Sequence, residues 1–394
     1  MCFNFSFFYS DEAVLVKEIV QSVLRELDQI PTHKLHSKGL VGIDEQILHV
    51  ESLLQANSKD VRAIGIWGMP GIGKTTIAEQ VYNRLRSNYE GYYFMDNVRE
   101  ESGRHGIMYL KKELYSTLLG QQNLKMNRLH GFPDSVMRKL QRMKVLVVLD
   151  DVSDPEQLDI LIETPDRFGR GSRIIITTRD KQVLAKKVVD SNIYEVRALE
   201  FDDSFKLFNL NAFEQSHPKM EEYHELSKKL VNYTKGIPLV LKELGHLLGG
   251  KDKKTWERQL ERLTKVPMKK VYDAIRLSYD DLDRGEKKML LVIACFSDGL
   301  HLKVDSIKLL LKVDNIQLLL KGHGYNFVAD ELESLKNKGL LRISQDKVVS
   351  MHSIIQVTAR EFFREESIHG KQSQLLEPND NQLLRHAKVK PKNL

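Results

Sequence analysis

The sequence has few cysteines and no long apolar run. Its two cysteines, Cys2 and Cys295, lie far apart in the 394-residue chain and form no CxxC pair. This scarcity argues against a disulfide framework or a zinc site and fits a reducing compartment, so we expect the cytoplasm, with the nucleus as an alternative. No apolar stretch approaches the roughly 20 residues that a membrane-spanning helix needs, which argues against such a span.

An excess of charge of one sign is also missing. The formal net charge is +6, which is small for this length and permits an anionic partner without indicating one.

The opening stretch MCFNFSFFYS is apolar, but it lacks a basic start and runs directly into Asp11 and Glu12. It is therefore not typical of a signal peptide, and we interpret residues 1–10 as an atypical N-terminus.

The length and the apolar content of 41% predict a soluble globular protein of two or three domains. Between residues 62 and 199, short β-rich stretches alternate with helical ones, namely KTTIAEQVYNRL, IMYLKKELYSTLL, PEQLDILI and KQVLAKKV. The β-rich stretches are RAIGIW, YYFMDNV, KVLVVLD, RIIITTR and IYEVRAL. This alternation predicts an α/β domain with a five-stranded, mostly parallel sheet covered by helices on both faces.

Strand signals almost disappear after residue 200. The segments DDSFKLFNLNAF, EEYHELSKKLVNYT and PLVLKELGHLLG are helical in pattern, as are VYDAIRLSYDDL and RGEKKMLLVIACF. ADELESLKNKGLL reads as a helix, and the following RISQDKVVSMH reads as strand, turn and strand, which is how a winged helix ends.

One stretch, GIWGMPGIGKTT, has the spacing G-x-x-x-x-G-K-T of a phosphate-binding loop, from Gly68 to Thr75. It lies between a β-rich stretch and a helical one, as the mechanism of such a loop requires. Gly71 and Gly73 allow the backbone to approach phosphates, and free N–H groups at the start of the helix attract the anion. Lys74 would reach the β- and γ-phosphates, and the Thr75 hydroxyl would ligate Mg²⁺. The alternative is a glycine-rich turn with an exposed lysine.

Two further strand ends carry charged residues. KVLVVLDD places Asp150 at the carboxyl end of an apolar stretch, beside the phosphate loop in sheets of this kind, where it would hold Mg²⁺ through water. Asp151 would orient or deprotonate an attacking water, with a helix cap or a solvated turn as the alternative. GSRIIITTRD brings Arg179 to the same edge, where it would sense a γ-phosphate; the alternative is a surface charge.

The order of these pieces resembles the NB-ARC module of plant intracellular immune receptors, a branch of the signal-transduction ATPases with numerous domains. The matching pieces are LVGID, GMPGIGKTT, FMDNVREES, KVLVVLDDV, GSRIIITTRD, GIPLVLKELG, LSYDDLDRGEKKMLLVIACF and MHSIIQ. FMDNVREES, VLDDV and ACF are similar to the class that carries a TIR domain upstream. The resemblance implies a P-loop NTPase domain followed by a helical domain and a winged-helix domain, with nucleotide where they meet.

The domain boundaries follow from this resemblance. We expect an atypical N-terminus at 1–10, a helix and linker entering the nucleotide site at 11–60, a P-loop nucleotide-binding domain at 61–200, a helical ARC1 domain at 201–262, a winged-helix ARC2 domain at 263–365 and a loose C-terminal tail at 366–394. Ten residues are too few for a TIR domain, and no leucine-rich repeats follow residue 380. We therefore expect neither NAD-cleaving activity nor the usual ligand-sensing surface.

The resemblance also implies site residues. Val41 and Gly42 in LVGID should flank adenine, and Pro238 in GIPL should pack on the nucleoside. Without the resemblance, Pro238 is equally a first-turn helix residue after a glycine break. Arg179 should be the γ-phosphate sensor. The phosphates should be held by Gly71, Ile72, Gly73, Lys74, Thr75 and Thr76.

His352 in MHSIIQ matches the histidine of the family's MHD motif, which implies a contact with the β-phosphate of ADP. The third residue of the motif is Ser353 instead of aspartate, and a hydroxyl lacks the charge of a carboxylate. The resemblance implies a switch in which ADP stabilises a closed arrangement and ATP favours an open one. We expect nucleotide binding, with at most slow ATP hydrolysis that resets the switch.

Two other functions stay open on the sequence. The winged helix would bind DNA in a nucleotide-gated regulator, but Lys336, Lys338 and Arg342 are interspersed with acidic residues, so we do not expect nucleic acid as a partner. Alternatively, the chain is an inert truncated receptor fragment that works as a partner. The expected partners are an adenine nucleotide and, in the active state, a second copy or other immune receptors.

Overall fold

The computed structural model of the chain describes residues 40–369 apart from 56–57, 122–123, 125–131, 165–166, 214–221, 264, 297–301, 305–306 and 308–327. The atypical N-terminus, the helix expected after residue 11 and most of the expected C-terminal tail lie outside the described residues. Those predictions therefore stay predictions.

A five-stranded parallel sheet forms the first half of the fold. Its strands are β1 Arg62–Trp67, β2 Gly91–Met95, β3 Val145–Val152, β4 Arg173–Thr178 and β5 Ile193–Glu195. The order across the sheet is β2-β3-β4-β1-β5, and every neighbouring pair is parallel. The predicted α/β class and strand number are confirmed. The order places β4 between β1 and β3, so the carboxyl ends of these three strands meet at one edge.

The helices of this part are α1 Asp44–Leu54, α2 Lys74–Leu85, α3 Val98–His105, α4 Ile107–Leu119, α5 Asp134–Leu140 and α6 Pro155–Leu161. Helices α2 and α4 coincide with their predicted stretches. Helix α3 was not predicted, because its polar sequence VREESGRH has one buried residue, Val98, and no apolar periodicity. The predicted helix KQVLAKKV is wrong in length: a single 3₁₀ turn spans Lys181–Leu184, and the chain then leaves the helix so that Leu184 packs on the β1 backbone at Gly65.

Alternate residues of the strands separate two apolar cores. One face of β1, represented by Ile64 and Ile66, packs in a cluster with α1 and α2. The other face, represented by Ala63 and Trp67, packs in a second cluster with α4 and α6. This two-sided burial explains why the strands read as continuous apolar runs.

The remaining helices form two units. The helical unit, residues 201–263, contains α7 Phe201–Ala212, α8 His224–Thr234, α9 Pro238–Leu248 and α10 Lys253–Leu263. The C-terminal unit, residues 269–369, contains α11 Lys269–Asp280, α12 Arg284–Phe296, α13 Val328–Asn337 and α14 Ser353–His369. No helix of the described part is both long and apolar enough to cross a bilayer.

A small antiparallel sheet completes the C-terminal unit. Its strands are β6 Leu302–Lys303, β7 Arg342–Ile343 and β8 Val348–Ser350, in the order β6-β8-β7. The strand–turn–strand predicted after α13 is present. Helix α14 continues to His369, past residue 365, where we expected the winged-helix domain to end.

The apolar core continues from the sheet into both units. The same cluster that holds Ile64 contains Phe208 and Trp256 of the helical unit and Ile275 and Phe362 of the C-terminal unit. The rings of Phe208 and Trp256 meet edge to face with centroids 5.6 Å apart. In the described part of the chain, the three parts are therefore packed into one body.

Arg173, at the start of β4, is fully buried and donates its hydrogen bonds to backbone carbonyls, with the Asp60 carboxylate 3.5 Å from Nη2. Its guanidinium donates to the carbonyl oxygens of Leu54 and Gln55 at the end of α1, and to those of Ser58, Asp60 and Ser172. These bonds satisfy carbonyls that a helix end leaves without partners. Arg173 thereby ties the segment that leads into β1 to the centre of the sheet.

We expect Arg173→Ala to lower the free energy of unfolding by about 3–5 kcal/mol, because it leaves several buried carbonyls without a donor. Chemical denaturation followed by circular dichroism measures this change. The control is Arg258→Ala, which removes an exposed guanidinium that donates to Thr255 within α10 and should change stability by under about 0.5 kcal/mol. Equal stability of the two variants would contradict the role given to Arg173.

Candidate functional site

The phosphate-binding loop joins β1 to α2, as its spacing predicts. Gly71 and Gly73 have φ angles of +75° and +108°, which residues with a Cβ rarely adopt. Ile72 is buried and packs in the first core, which anchors the loop. Thr76 lies half-buried in the first turn of α2. The loop therefore presents backbone N–H groups at a helix N-terminus, the arrangement that binds phosphate.

Lys74 is buried at this loop, with 8% of its surface exposed. Its Nζ donates to the carbonyls of Gly68 and Met69 at 2.8 and 3.0 Å. Burial, helped by the positive charge of Arg179, lowers the pKa of Lys74 to about 7. An anion at the loop would favour the charged ammonium and raise this pKa again.

Asp150 and Thr75 lie together at the end of β3, as predicted for a Mg²⁺ site. The Thr75 hydroxyl donates to the two carboxylate oxygens of Asp150 at 2.9 and 3.1 Å. Thr177 of β4 also donates to Asp150, at 2.6 Å. Burial raises the pKa of Asp150 although these two bonds oppose the shift. Among the described residues none forms an ion pair with Asp150, although the charge of Lys74 acts on it. Such a buried carboxylate fits a divalent ion held by one protein carboxylate, one hydroxyl and phosphate oxygens.

Asp151 follows Asp150 directly but faces two arginines. Its φ of +52° lies in the left-handed region, an uncommon conformation for a residue other than glycine. Arg179 donates from Nε to Asp151 Oδ1 at 2.9 Å, and Arg99 Nε lies 3.6 Å from Oδ2. Its backbone N–H donates to the Thr177 hydroxyl. The predicted water-activating residue thus sits in an ion-pair network.

The expected adenine-side residues lie at the borders between the three parts. Val41 packs half-buried against the first core. Gly42 has a φ of +68°, and a Cβ there would come within 2.5 Å of Asp203 Oδ2 in α7. Pro238 begins α9, and the next residue, Leu239, donates its backbone N–H to the Gly71 carbonyl at 3.2 Å. The helical unit therefore contacts the phosphate-binding loop directly.

A cavity of about 730 Å³ lies between the phosphate-binding loop and the C-terminal unit. Gly68, Met69 and Ile72 line one side, and His352 and Arg342 line the other. Burial and the nearby charge of Arg342 lower the pKa of His352 to about 4, against a small opposing effect of the Lys235 backbone. His352 is therefore neutral at physiological pH in this arrangement.

The imidazole tautomer follows from its contacts. Nδ1 of His352 accepts the backbone N–H of Ile354 at 3.2 Å, so the proton of the neutral ring is on Nε2. Within the described part of the chain, neither Nε2 nor the buried Ser353 hydroxyl has a hydrogen-bond partner. Ser353 therefore does not orient the imidazole through a hydrogen bond.

Sequence reasoning missed several residues of this site. Thr177 and Arg99 both reach the Asp150–Asp151 pair, and Arg342 lies with His352 at the cavity. Arg99 lies in FMDNVREES. This motif supported the family resemblance, but no role was assigned to its arginine. The available signal for Thr177 was a polar side chain within a buried strand, next to Thr178.

The chain is similar to plant disease resistance proteins. Residues 44–218 match the model of the NB-ARC domain. Over 360 residues the chain is 36% identical to disease resistance protein RUN1 of Vitis rotundifolia, which covers 90% of this chain and 25% of that protein. It is 34% identical over 382 residues to disease resistance-like protein DSC1 of Arabidopsis thaliana, covering 96% of this chain and 30% of that protein. The chain thus spans less than a third of either relative.

Among solved structures, the fold is similar to that of the Walker-type ATPase paby2304 of Pyrococcus abyssi. The TM-score is 0.57 at 16% sequence identity, and the match covers 82% of this chain and 96% of that chain. This likeness concerns the fold, which is that of the P-loop ATPases.

The pKa of Lys74 predicts a pH dependence of nucleotide binding. A bound phosphate raises this pKa, so above pH 7 the protein must take up a proton on binding, and affinity for ADP should fall by up to about tenfold per pH unit. Below pH 7 Lys74 is already charged and contributes no further dependence. Titration calorimetry of nucleotide-stripped protein from pH 6 to 9, in buffers of different ionisation enthalpy, measures both effects.

The matched variant is Lys74→Arg, because a guanidinium keeps its charge over this range. It should lose the dependence above pH 7. A wild-type affinity that is constant from pH 7 to 9, or proton release on binding, would contradict the low pKa.

Proposed function

Because the chain belongs to the NB-ARC family through residues 44–218, we propose that it is the ADP/ATP-binding switch of a plant innate immune receptor. In this proposal the ADP-bound state is closed and resting, and the ATP-bound state is open and active in defence signalling. The switch acts in the cytoplasm or the nucleus. In the open state its partners are a second copy or other immune receptors.

The observation that carries the proposal is that the helical unit and the C-terminal unit both contact the phosphate-binding loop. The helical unit does so through Leu239 and Gly71. The C-terminal unit does so through Asn337, whose carbonyl accepts the Trp67 indole N–H at 2.8 Å, and through Gly339, where a Cβ would lie 3.1 Å from the Met69 nitrogen. A ligand on this loop can therefore favour one arrangement of the three parts over another.

His352 supports ADP as the ligand of the closed arrangement. Its Nε2–H is a buried donor on the wall of a cavity that begins at the phosphate-binding loop. A phosphate oxygen is a strong acceptor for such a donor. A buried donor without an acceptor costs about 1–3 kcal/mol, so a phosphate here would stabilise the closed state.

The same geometry explains why hydrolysis should be slow. Thr75 and Asp150 would hold Mg²⁺, which neutralises charge on the phosphates. Asp151 would have to orient the attacking water, but its carboxylate is bound by Arg179 and close to Arg99. Closed protein would therefore turn ATP over slowly, which suits a switch.

DNA binding through the C-terminal unit has less support. Lys336 is paired with Glu333 at 2.9 Å, and Lys338 forms a buried pair with Glu286 at 2.6 Å. Arg342 lies at the cavity with His352. Two of the three basic residues that suggested a nucleic-acid surface are thus paired with carboxylates, and the third lines the cavity.

We expect purified protein to carry ADP, released by heating and identified by chromatography, in an amount close to one per chain. Lys74→Ala should reduce this amount at least tenfold, because it removes the charge at the phosphates. Lys228→Ala, which removes an exposed partner of Glu225, should leave it unchanged. Undiminished ADP in folded Lys74→Ala protein would refute the site.

The role of His352 is tested by the rate of ADP release. His352→Leu removes the Nε2 donor and keeps an apolar side chain, so the dissociation rate of a fluorescent ADP analogue should rise about tenfold or more in stopped-flow experiments. His246→Leu on α9 is the control. An unchanged rate in the first variant would remove His352 from the nucleotide site.

A further inference from the structure

The carboxyl-terminal end of helix α11 docks on the edge of the sheet that carries the nucleotide site. Two arginines from the nucleotide-binding part hold it there. Arg179 donates from Nη1 to the Ala274 carbonyl at 3.0 Å and lies 3.4 Å from the Ser278 hydroxyl. Arg99 donates from Nη1 to the Leu277 carbonyl at 3.3 Å and pairs with Asp281 at 2.5 Å.

This end of α11 is negatively polarised. The last carbonyls of a helix have no partner within the helix and carry a partial negative charge. Asp281, the residue that follows the last turn, adds a full negative charge at an end where the helix dipole disfavours one. Carbonyl, hydroxyl and carboxylate oxygens together surround the two guanidinium groups much as phosphate oxygens would.

Both arginines also belong to the nucleotide site. They share Asp151, which follows the expected Mg²⁺ ligand Asp150. The charges of both act on the buried Lys74 ammonium. The buried Nε of Arg99 lies 3.6 Å from Asp151 Oδ2, beyond hydrogen-bond distance, and has no hydrogen-bond partner in the described part of the chain.

We propose that the end of α11 is an internal mimic of a terminal phosphate, and that a triphosphate displaces it by competing for Arg99 and Arg179. Arg99 is then a positioning residue that links the γ-phosphate to the release of the C-terminal unit. This inference rests on the proposed nucleotide function. It adds the contacts with Arg99 and Arg179 for which the end of α11 and a triphosphate compete.

The competition separates triphosphate from diphosphate on physical grounds. A ligand shifts the arrangement only by its difference in affinity for the two states. Charge-assisted bonds from arginine to phosphate are roughly twice as strong as bonds to neutral carbonyls. The contacts of α11 with Arg99 are weaker, because Asp281 is 48% exposed and its pair with Arg99 is screened by solvent.

The test measures the dissociation constants of ADP and of a non-hydrolysable ATP analogue for the full chain by titration calorimetry. Asp281→Ala frees Arg99 and should tighten the analogue about three- to fivefold relative to ADP. Arg99→Ala removes the proposed phosphate contact and should weaken the analogue about tenfold relative to ADP. The two variants thus shift the ratio of the dissociation constant of the analogue to that of ADP in opposite directions.

Controls come from the same two helices. Asp280→Ala removes an exposed pair with Arg276 on α11, and Arg104→Ala removes exposed pairs with Glu100 and Glu101 on α3. Neither should change the ratio. Hydrogen exchange of residues 269–281 should speed up with the analogue and slow with ADP in wild-type protein, and it reports whether each variant is folded.

If Arg99 were a clamp alone, both variants would shift the ratio in the same direction, and that result would overturn the proposal. Equal changes for ADP and the analogue, or no change, would overturn it as well. Failure of the proposed function is distinct, because wild-type protein would then bind neither nucleotide.

Discussion

The phosphate-binding loop contacts the other two units of the chain, and the arrangement of the three parts in this structure depends on these shared contacts. Gly71 accepts a backbone hydrogen bond from the start of α9, and Gly339 of the C-terminal unit approaches Met69 closely enough that a Cβ would meet its nitrogen at 3.1 Å. A loop packed from two sides cannot change shape without moving its neighbours. Under the proposed function, nucleotide chemistry and the arrangement of the units would therefore be coupled by packing.

The electrostatics of the site point in the same direction. The charges of Arg99 and Arg179 act on Lys74 together with the opposite charges of Asp150 and Asp151. Arg342 adds a positive charge at the cavity wall, where His352 is neutral. Burial lowers the pKa of Lys74 to about 7 and that of His352 to about 4, so the protein carries less positive charge here than its residues suggest. Phosphate binding would be linked to proton uptake by Lys74.

Apolar packing also holds the three parts in their arrangement. The apolar cluster on one face of the sheet continues into the helical unit and the C-terminal unit. In the proposed switch, a ligand would act by favouring one packed arrangement over another.

The sequence by itself determined the α/β class, the phosphate-binding loop and the strand ends that carry Asp150 and Arg179. These features depend on local spacing and on apolar runs, which can be recognised in the sequence without knowledge of tertiary contacts. It could not reveal the polar helix α3, because helices without apolar periodicity are stabilised by tertiary contacts. Only the tertiary structure decided that β4 separates β1 from β3 and so brings Thr177 to Asp150. It also decided that the two arginines that pair with Asp151 face the end of α11, since contacts between residues 95 to 178 positions apart leave no pattern in one sequence.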